Sequence, residues 1–592
     1  MRGWQAEIQA ALEEYEEDED YGDEWVADDE VAANTQRSVS STPRPRAAAA
    51  AYKPPSHTLW AHQNATQAHT DTRARPRTGP PPAPAPAGPQ QQRPRSDSQW
   101  ATLEEQVASS ASVVITGHVD SGKSTLIGRL LCDLGQVSDT QLRRLTDESD
   151  AIGKATFQYA WILDEHSEER ERGVTMDVAV RAIASPGGRS SLCLIDSPGH
   201  REFVPAMIRA AAMAELALLV VDARRGAFEA GFEADGQTRE HARLLRSLGL
   251  QALVVAVNKM DACAYAEERY AEIVLKLQPF LEQALRYHRV QYVPCSGFEG
   301  QNVLTRATEP RLQAWWTRHS DRPSCVVEAL EQLAQAGAAS RVARLRQPTR
   351  VVADAVSGAV LAGPCLSGTV AVGDALAVLS AAAAAAGATA DTMVRVRRIQ
   401  SSTSGAAVPC LGAGSLGLFT VSPVDARRRE SATGAAMVPP GALLVDPQDR
   451  AARLTSRWEA QVLVHDVERP LLQGQRLLLY TLCAHGVPVR IRKMTSIPNA
   501  PEERPHPLRL ARAHQTLSMQ LELCSDSVAT ADAAVNSEAC EHKPRVPLSV
   551  LEESRKLGRF LLRYRSRTVA AGVVEHILES DARRTEEGVV KR

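Results

Sequence analysis

The chain has 592 residues, 44% of them apolar, with 68 Lys and Arg against 71 Asp and Glu. At roughly 100–200 residues per domain, this length predicts about three or four domains, and the near-neutral balance excludes a generic polycation that coats nucleic acid. The ten Cys, scattered from Cys132 to Cys540 with no CxxC pair, exclude a zinc knuckle and argue for reduced thiols rather than a secreted disulfide framework. No apolar run approaches the roughly 18 residues that a membrane span needs, and the acidic N-terminus excludes a secretory signal. A soluble, cytoplasmic protein is expected.

Residues 1–30 carry thirteen acids and one Arg. Like charge at that density predicts a solvated acidic tail, with Trp4, Ile8, Leu12 and Trp25 as candidate anchors for a partner. Residues 31–105 read as a disordered Pro/Arg/Ala-rich linker, because twelve Pro fall between 31 and 100 and proline removes backbone donors. From 106 to 340 short apolar strands alternate with helical stretches. Val113–Thr116, Leu192–Ile195, Ala217–Val221 and Leu253–Val257 read as strands. Ser124–Leu134 reads as a helix, with Leu126, Ile127, Leu130 and Leu131 at helical spacing. This alternation predicts an α/β domain, a mostly parallel sheet with helices on both faces. After 345 helices become scarce, and β-branched runs alternate with Gly/Pro turns. Two β-barrel domains are expected, at 345–450 and 454–580, ahead of a C-terminal tail at 581–592. The stretches 381–390 and 525–544 read as surface insertions.

Gly117-His118-Val119-Asp120-Ser121-Gly122-Lys123-Ser124, followed by Thr125, fits GxxxxGK[ST] between a strand and a helix. Glycines let successive N–H groups point at phosphate oxygens, the helix N-terminus adds positive potential, Lys123 can reach the β- and γ-phosphates, and Ser124 can ligate Mg²⁺. Asp196-Ser197-Pro198-Gly199-His200 follows a strand. There Asp196 can hold the metal through water and Gly199 can donate its N–H to a γ-phosphate. Asn258-Lys259-Met260-Asp261 follows another strand. The Asp261 carboxylate can accept from N1–H and the exocyclic amine of guanine, whereas adenine would leave it unpaired. Lys259 would lie along the base, Asn258 would brace the loop, and the amides of Cys295-Ser296-Gly297 can serve guanine O6. Between the first two motifs, Glu168–Asp177 ends a charge run at Gly173. Thr175 is then placed to ligate Mg²⁺ only when γ-phosphate is present, an order–disorder switch.

In this joint order the motifs resemble the translation-factor GTPases of the elongation factor 1-alpha class over roughly residues 111–580. Tyr159–Glu165, Glu169–Val178, Phe228–Glu233 and Gly236–His241, together with the acidic tail and linker, look most like the Hbs-type ribosome-rescue GTPase that partners Pelota. The resemblance implies a P-loop G domain followed by two β-barrels, and GTP hydrolysis on the ribosome with Mg²⁺ as cofactor. It implies a monomer that contacts ribosomal RNA and delivers a Pelota-type tRNA mimic, with no membrane or DNA partner. It also implies that His200 orients the attacking water, that Val119 and Val174 form an apolar gate restraining His200, and that Asp120 helps hold a monovalent cation. Ser197 departs from the family's usual Ala or Thr, and Pro364 is expected to break a strand of domain two. Rival readings are a release-factor GTPase, an aminoacyl-tRNA carrier and, more remotely, the GTPase subunit of a sulfate adenylyltransferase.

Overall fold

The structure is a computed structural model that describes residues 97–151, 158–163, 178–185, 190–233, 236–318, 321–381, 392–402, 405–424, 438–467, 469–498, 504–524, 545–565 and 567–578. All of them belong to one compact unit. The acidic tail, the linker up to residue 96, Thr175 with the rest of its charge run, the stretches 382–391 and 525–544, and the C-terminal tail lie outside the described residues.

Six strands build the first domain: β1 (Ser110–Gly117), β2 (Ala179–Ala184), β3 (Ser191–Asp196), β4 (Leu216–Asp222), β5 (Ala252–Asn258) and β6 (Arg289–Pro294). Their order across the sheet is β2-β3-β1-β4-β5-β6. β1 pairs in parallel with β3 and β4, β4 with β5 and β5 with β6, while β2 alone runs antiparallel, against β3. β4 is buried at every position, so helices cover both faces of the sheet. They are α1 (Asp97–Ser109), α2 (Lys123–Asp133), α3 (Asp139–Ala151), α4 (Val204–Met213), α5 (Ala227–Phe232), α6 (Gln237–Ser247), α7 (Glu267–Gln278), α8 (Pro310–Trp316) and α9 (Val326–Arg344). α2 faces the sheet with Leu126, Ile127, Leu130 and Leu131, all buried. Each such side chain contributes ~1.5–3 kcal/mol by leaving water. β1, β3, β4, β5 and β6 point the same way, so the loops after them share one edge, where ligands of open α/β sheets bind.

The two following domains are closed six-stranded barrels. In the first, Ala375–Leu379, Ala442–Val445, Arg350–Ala353, Val360–Ser367, Leu416–Pro423 and Met393–Ser401 pair in turn, and the last returns to the first. In the second, Arg476–Tyr480, Arg559–Tyr564, Arg567–Ile577, Arg457–Val464, Thr516–Leu523 and His485–Ser496 close in the same way. Closure removes exposed strand edges.

Three boundaries differ from expectation. The strand Val360–Ser367 runs unbroken through Pro364, which pairs opposite Leu416. The neighbouring Cys365 amide donates to Ser415 O at 2.9 Å, which keeps the pairing on that side, while on the other side the register with Arg350–Val351 shifts between Ser367 and Cys365. α9 runs on to Arg344, past the expected end at 340. The expected linker ends earlier than 105, because α1 starts at Asp97. α1 is held by what it touches: Leu103 and Val107 are buried in a cluster with Leu345 and Ala413. Arg341 donates to Val107 O at 3.1 Å and to Ala108 O at 2.8 Å, where a cation favours a helix C-terminus.

A chain beginning at residue 97 should therefore unfold like the full chain. One beginning at 110 loses Leu103 and Val107 and leaves Arg341 without its carbonyls. From the two side chains alone its unfolding free energy should drop by about 3–6 kcal/mol. Urea unfolding measures the difference, and a loss below ~1 kcal/mol would show that the helix adds nothing.

Candidate functional site

The phosphate side begins where β1 ends. At Gly117 a Cβ would lie 2.2 Å from Val220 O. The loop passes Asp120 at φ 59° and reaches Gly122 at φ 90°. That left-handed value requires glycine, and a Cβ there would lie 2.5 Å from Asn258 Nδ2. The Ser121 amide closes the turn on His118 O at 3.3 Å. Lys123, in the first turn of α2, donates its ammonium to Gly117 O at 3.2 Å and His118 O at 2.8 Å. Burial lowers its pKa from the ordinary 10.5 to about 8, against the opposing pull of Asp196 and Asp120. Gly199 lies against this ammonium, where a Cβ would come within 2.4 Å of Nζ. Ser124 Oγ donates to Asp196 Oδ2 at 3.4 Å, and Thr125 follows on α2. The Ser121 hydroxyl is buried with no hydrogen-bond partner among the described residues.

These features fit a polyphosphate: a backbone concavity that admits no Cβ, a buried ammonium, an orphaned hydroxyl and a helix N-terminus. Ser124 and Asp196 also fit Mg²⁺, which takes one or two hard oxygen ligands from protein and completes its shell with phosphate and water. Among the described residues no group of three or more His, Cys, Asp or Glu gathers into a separate metal site. Thr175, the other expected ligand, lies outside the described residues, as does Val174 of the expected gate. On the other side of that gate, the Val119 amide donates to Gln237 Oε1 at 3.3 Å. His200 is half-exposed; the Glu202 amide approaches its Nδ1 at 3.4 Å and the Glu202 carboxylate at 3.8 Å. The Ser197 hydroxyl, new to the turn, is buried and satisfied by Ile115 O at 2.7 Å.

The base side is built from the ends of β5 and β6. Asn258 braces two loops at once, donating from Nδ2 to Ser121 O at 2.9 Å and accepting the Gly297 amide on Oδ1 at 2.8 Å. Lys259 has φ 63°. Its ammonium donates to Asp120 O and lies 3.0 Å from Asp222 Oδ2. Asp261 Oδ1 is buried with no hydrogen-bond partner among the described residues, an acceptor waiting for a donor. The amides expected to serve guanine O6 are already engaged. Cys295 N–H donates to Val257 O at 2.8 Å, Ser296 N–H to Gln301 O at 3.0 Å, and Gly297 N–H to Asn258. The first belongs to the β5–β6 ladder and the second to a turn that closes on itself, so these residues wall and brace the pocket.

Sequence reasoning missed several groups here. Asp222 ends β4 and pairs with Lys259 and Arg224; a strand-end carboxylate like Asp196 was its available signal. Gln237 and His241 lie in the Gly236–His241 segment, which was noticed only as a resemblance. His241 Nδ1 meets Thr116 Oγ1 at 2.9 Å, and burial pushes its pKa down to about 3, so a neutral imidazole pins α6 to β1.

The sheet order and the loops on its edge define a P-loop GTPase domain. The family description "Elongation factor Tu GTP binding domain" matches residues 108–336. Protein HBS1 of Drosophila melanogaster is 33% identical over 487 residues, 78% of this chain and 63% of its own, so the match spans just under two thirds of that relative. The elongation factor 1 alpha-like protein of Schizosaccharomyces pombe is 31% identical over 78% of this chain and 70% of its own. The Ski7 GTPase-like domain of S. cerevisiae, solved with GTP, superposes with a TM-score of 0.61 at 18% identity, covering 78% of this chain and 97% of that one, and so shares the fold. The chain belongs to the translation GTPases of the elongation factor 1-alpha class, in its HBS1-like group.

The buried Lys123 makes ligand binding proton-linked. An anion placed beside it favours the ammonium and raises its pKa from about 8 towards the ordinary 10.5. Nucleotide should therefore bind with proton uptake near pH 8–9, and affinity should fall as pH rises above about 8, where the unliganded amine loses its proton. Calorimetry in buffers of different ionisation enthalpy reads the proton directly. Binding without uptake in that window would contradict the burial-driven shift.

Proposed function

We propose that this protein binds GTP and hydrolyses it on the ribosome, delivering a Pelota-type tRNA mimic to stalled ribosomes. The observation that carries the rescue reading is the likeness to HBS1, which extends over 78% of this chain and so reaches beyond the G domain into the barrels. The buried, unpartnered Asp261 oxygen supports guanine as the base, because N1–H and the exocyclic amine supply the donors it lacks.

In this reading Gly117–Ser124 wraps the phosphates and Lys123 takes the β- and γ-oxygens. Ser124, Thr175 and, through water, Asp196 would hold Mg²⁺, which would supply positive charge against the phosphates. Gly199 donates its amide to the γ-phosphate. His200 orients the attacking water, with Nδ1 occupied by Glu202 so that Nε2 is the nitrogen left to reach the water. Asn258 and Lys259 hold the base loop against the P-loop, and Asp261 reads guanine. A monovalent cation beside Asp120, contact with ribosomal RNA and a monomeric, cytoplasmic protein belong to the same proposal.

Phosphoryl transfer depends on positioning more than on covalent chemistry. His200→Ala should leave GDP affinity unchanged and lower ribosome-stimulated turnover by about 10²–10³-fold, the scale of losing one preorganised group. Stimulated turnover equal to wild type removes His200 from the mechanism.

The partner is tested by calorimetry with a Pelota-type protein in the presence of GDP or a non-hydrolysable GTP analogue. Affinity should be higher with the GTP analogue, since γ-phosphate ties the switch segments into one surface. Strong binding of aminoacyl-tRNA with none of the Pelota-type protein would select the carrier reading. Binding of a class-one release factor instead would select termination.

A further inference from the structure

Asp222 lies on the last rung of β4, directly beside Asn258 on β5. Its side chain is 8% exposed. Around it are the Arg224 amide, 2.9 Å from Oδ1, Arg224 Nε, 3.1 Å from both oxygens, and Arg224 Nη2, 2.7 Å from Oδ2. Lys259 Nζ lies 3.0 Å from Oδ2. Burial by itself would raise the Asp222 carboxyl; hydrogen bonds from Arg224 and Lys259 outweigh it and hold the group below the usual carboxylate range. It is a permanent anion at the rim of the cleft.

Lys259 is the residue that needs such an anion. Its φ of 63° is one a lysine keeps only when its surroundings over-determine it. Its ammonium is fixed at two points, the Asp120 carbonyl of the phosphate loop and the Asp222 carboxylate at the end of β4. The side chain therefore spans from base loop to phosphate loop. One of its two anchors comes from a strand outside all the nucleotide motifs.

We propose that Asp222 is a positioning residue of the base subsite, fixing Lys259 so that base loop and phosphate loop keep one separation. This rests on the guanine-nucleotide reading above. Arg224, half-exposed on the solvent side, draws on the same carboxylate and sets how much of its charge is left for Lys259. The base and the first phosphates are common to both nucleotides, so Asp222 acts on GDP and GTP alike and leaves the chemical step untouched.

The test uses the full chain and a fluorescent GDP and GTP pair. Asp222→Ala should weaken both by the same factor, about tenfold, less than truncating one partner of a fully desolvated charge pair costs, because the Lys259 side chain is 26% exposed. KM for ribosome-stimulated hydrolysis should rise with kcat unchanged. Asp222→Asn keeps the acceptor that shapes the 222–224 turn and removes the charge, so it should lose less, and it decides the matter if the alanine variant does not fold. Lys259→Ala combined with Asp222→Ala should bind within about twofold of Lys259→Ala alone, because Asp222 acts through Lys259. Additive losses, or nucleotide affinity equal to wild type in both Asp222 variants, would overturn the positioning role. A wild-type chain that does not prefer GDP to ADP would sink the guanine reading and this proposal with it. A wild type that does prefer GDP, with silent variants, sinks the positioning role alone.

Discussion

The site depends on one buried cation. Lys123 is closed in by the turn that precedes it, with two backbone carbonyls and the Gly199 backbone against its ammonium. Removing an ammonium from water is costly, and burial lowers its pKa to about 8 because Asp196 and Asp120 offset that cost only in part. The surrounding sequence follows from that demand. Gly117, Gly122 and Gly199 are glycines because the backbone must approach Lys123, Val220 O and Asn258 more closely than a side chain permits. The cradle is complete only when an anion supplies what the carbonyls do not.

Topology explains why the Asp222 carboxylate lies beside the site. β4 lies between β1, which carries the phosphate loop, and β5, which carries the base loop. The two loops must be tied across the end of β4. Asn258 does this with its amide, bonding Ser121 O on one side and the Gly297 amide on the other. Lys259 does it with a charge that spans from Asp120 O to Asp222. A buried hydrogen bond and a partly exposed ion pair together fix one distance more strictly than either would alone.

Much of this was legible in the sequence, for a physical reason. Each motif stands at the end of a short apolar strand, and parallel strands bring their ends to one edge whatever the order between them. Lys123, Asp196, Asn258 and Asp261 could therefore be expected on a single rim. What escaped was contact between segments far apart in the chain. Asp222 has a role only because β4 lies beside β5, and Gln237 and His241 only because α6 packs on β1. The amides of Cys295–Gly297 looked available because a sequence does not show which donors a ladder or a turn consumes. Pro364 looked like a break because its partner, Leu416, lies about 50 residues on, and a barrel strand tolerates one missing donor. α1 was read into the linker because its apolar contacts, Leu103 and Val107, find their partners near residues 345 and 413.

Among the described residues, α4 is one helix that joins the barrels to the site, beside α6, whose last residue, Ser247, accepts from Arg559 of the second barrel at 3.3 Å. α4 begins four residues after His200 and is gripped at both barrels. Arg209, in its middle, lies 3.6 Å from Asp354 of the first barrel. Lys556 of the second donates to Met213 O and Ala214 O at 3.2 and 3.1 Å, where the helix dipole favours a cation. Just beyond, Glu215 pairs with Arg341 and Arg344 of α9. Lys556 is half-buried, and burial lowers its pKa to about 8, so part of the cost of desolvating its ammonium rests on these two carbonyls. Packed elements of this kind move as bodies rather than deform. In the proposed reading, a pull on Gly199 from the γ-phosphate would reach the barrels in part as a change in how α4 is held. The linkage runs both ways, because whatever binds the barrels and prefers one placement of α4 changes the affinity at the P-loop by the same factor.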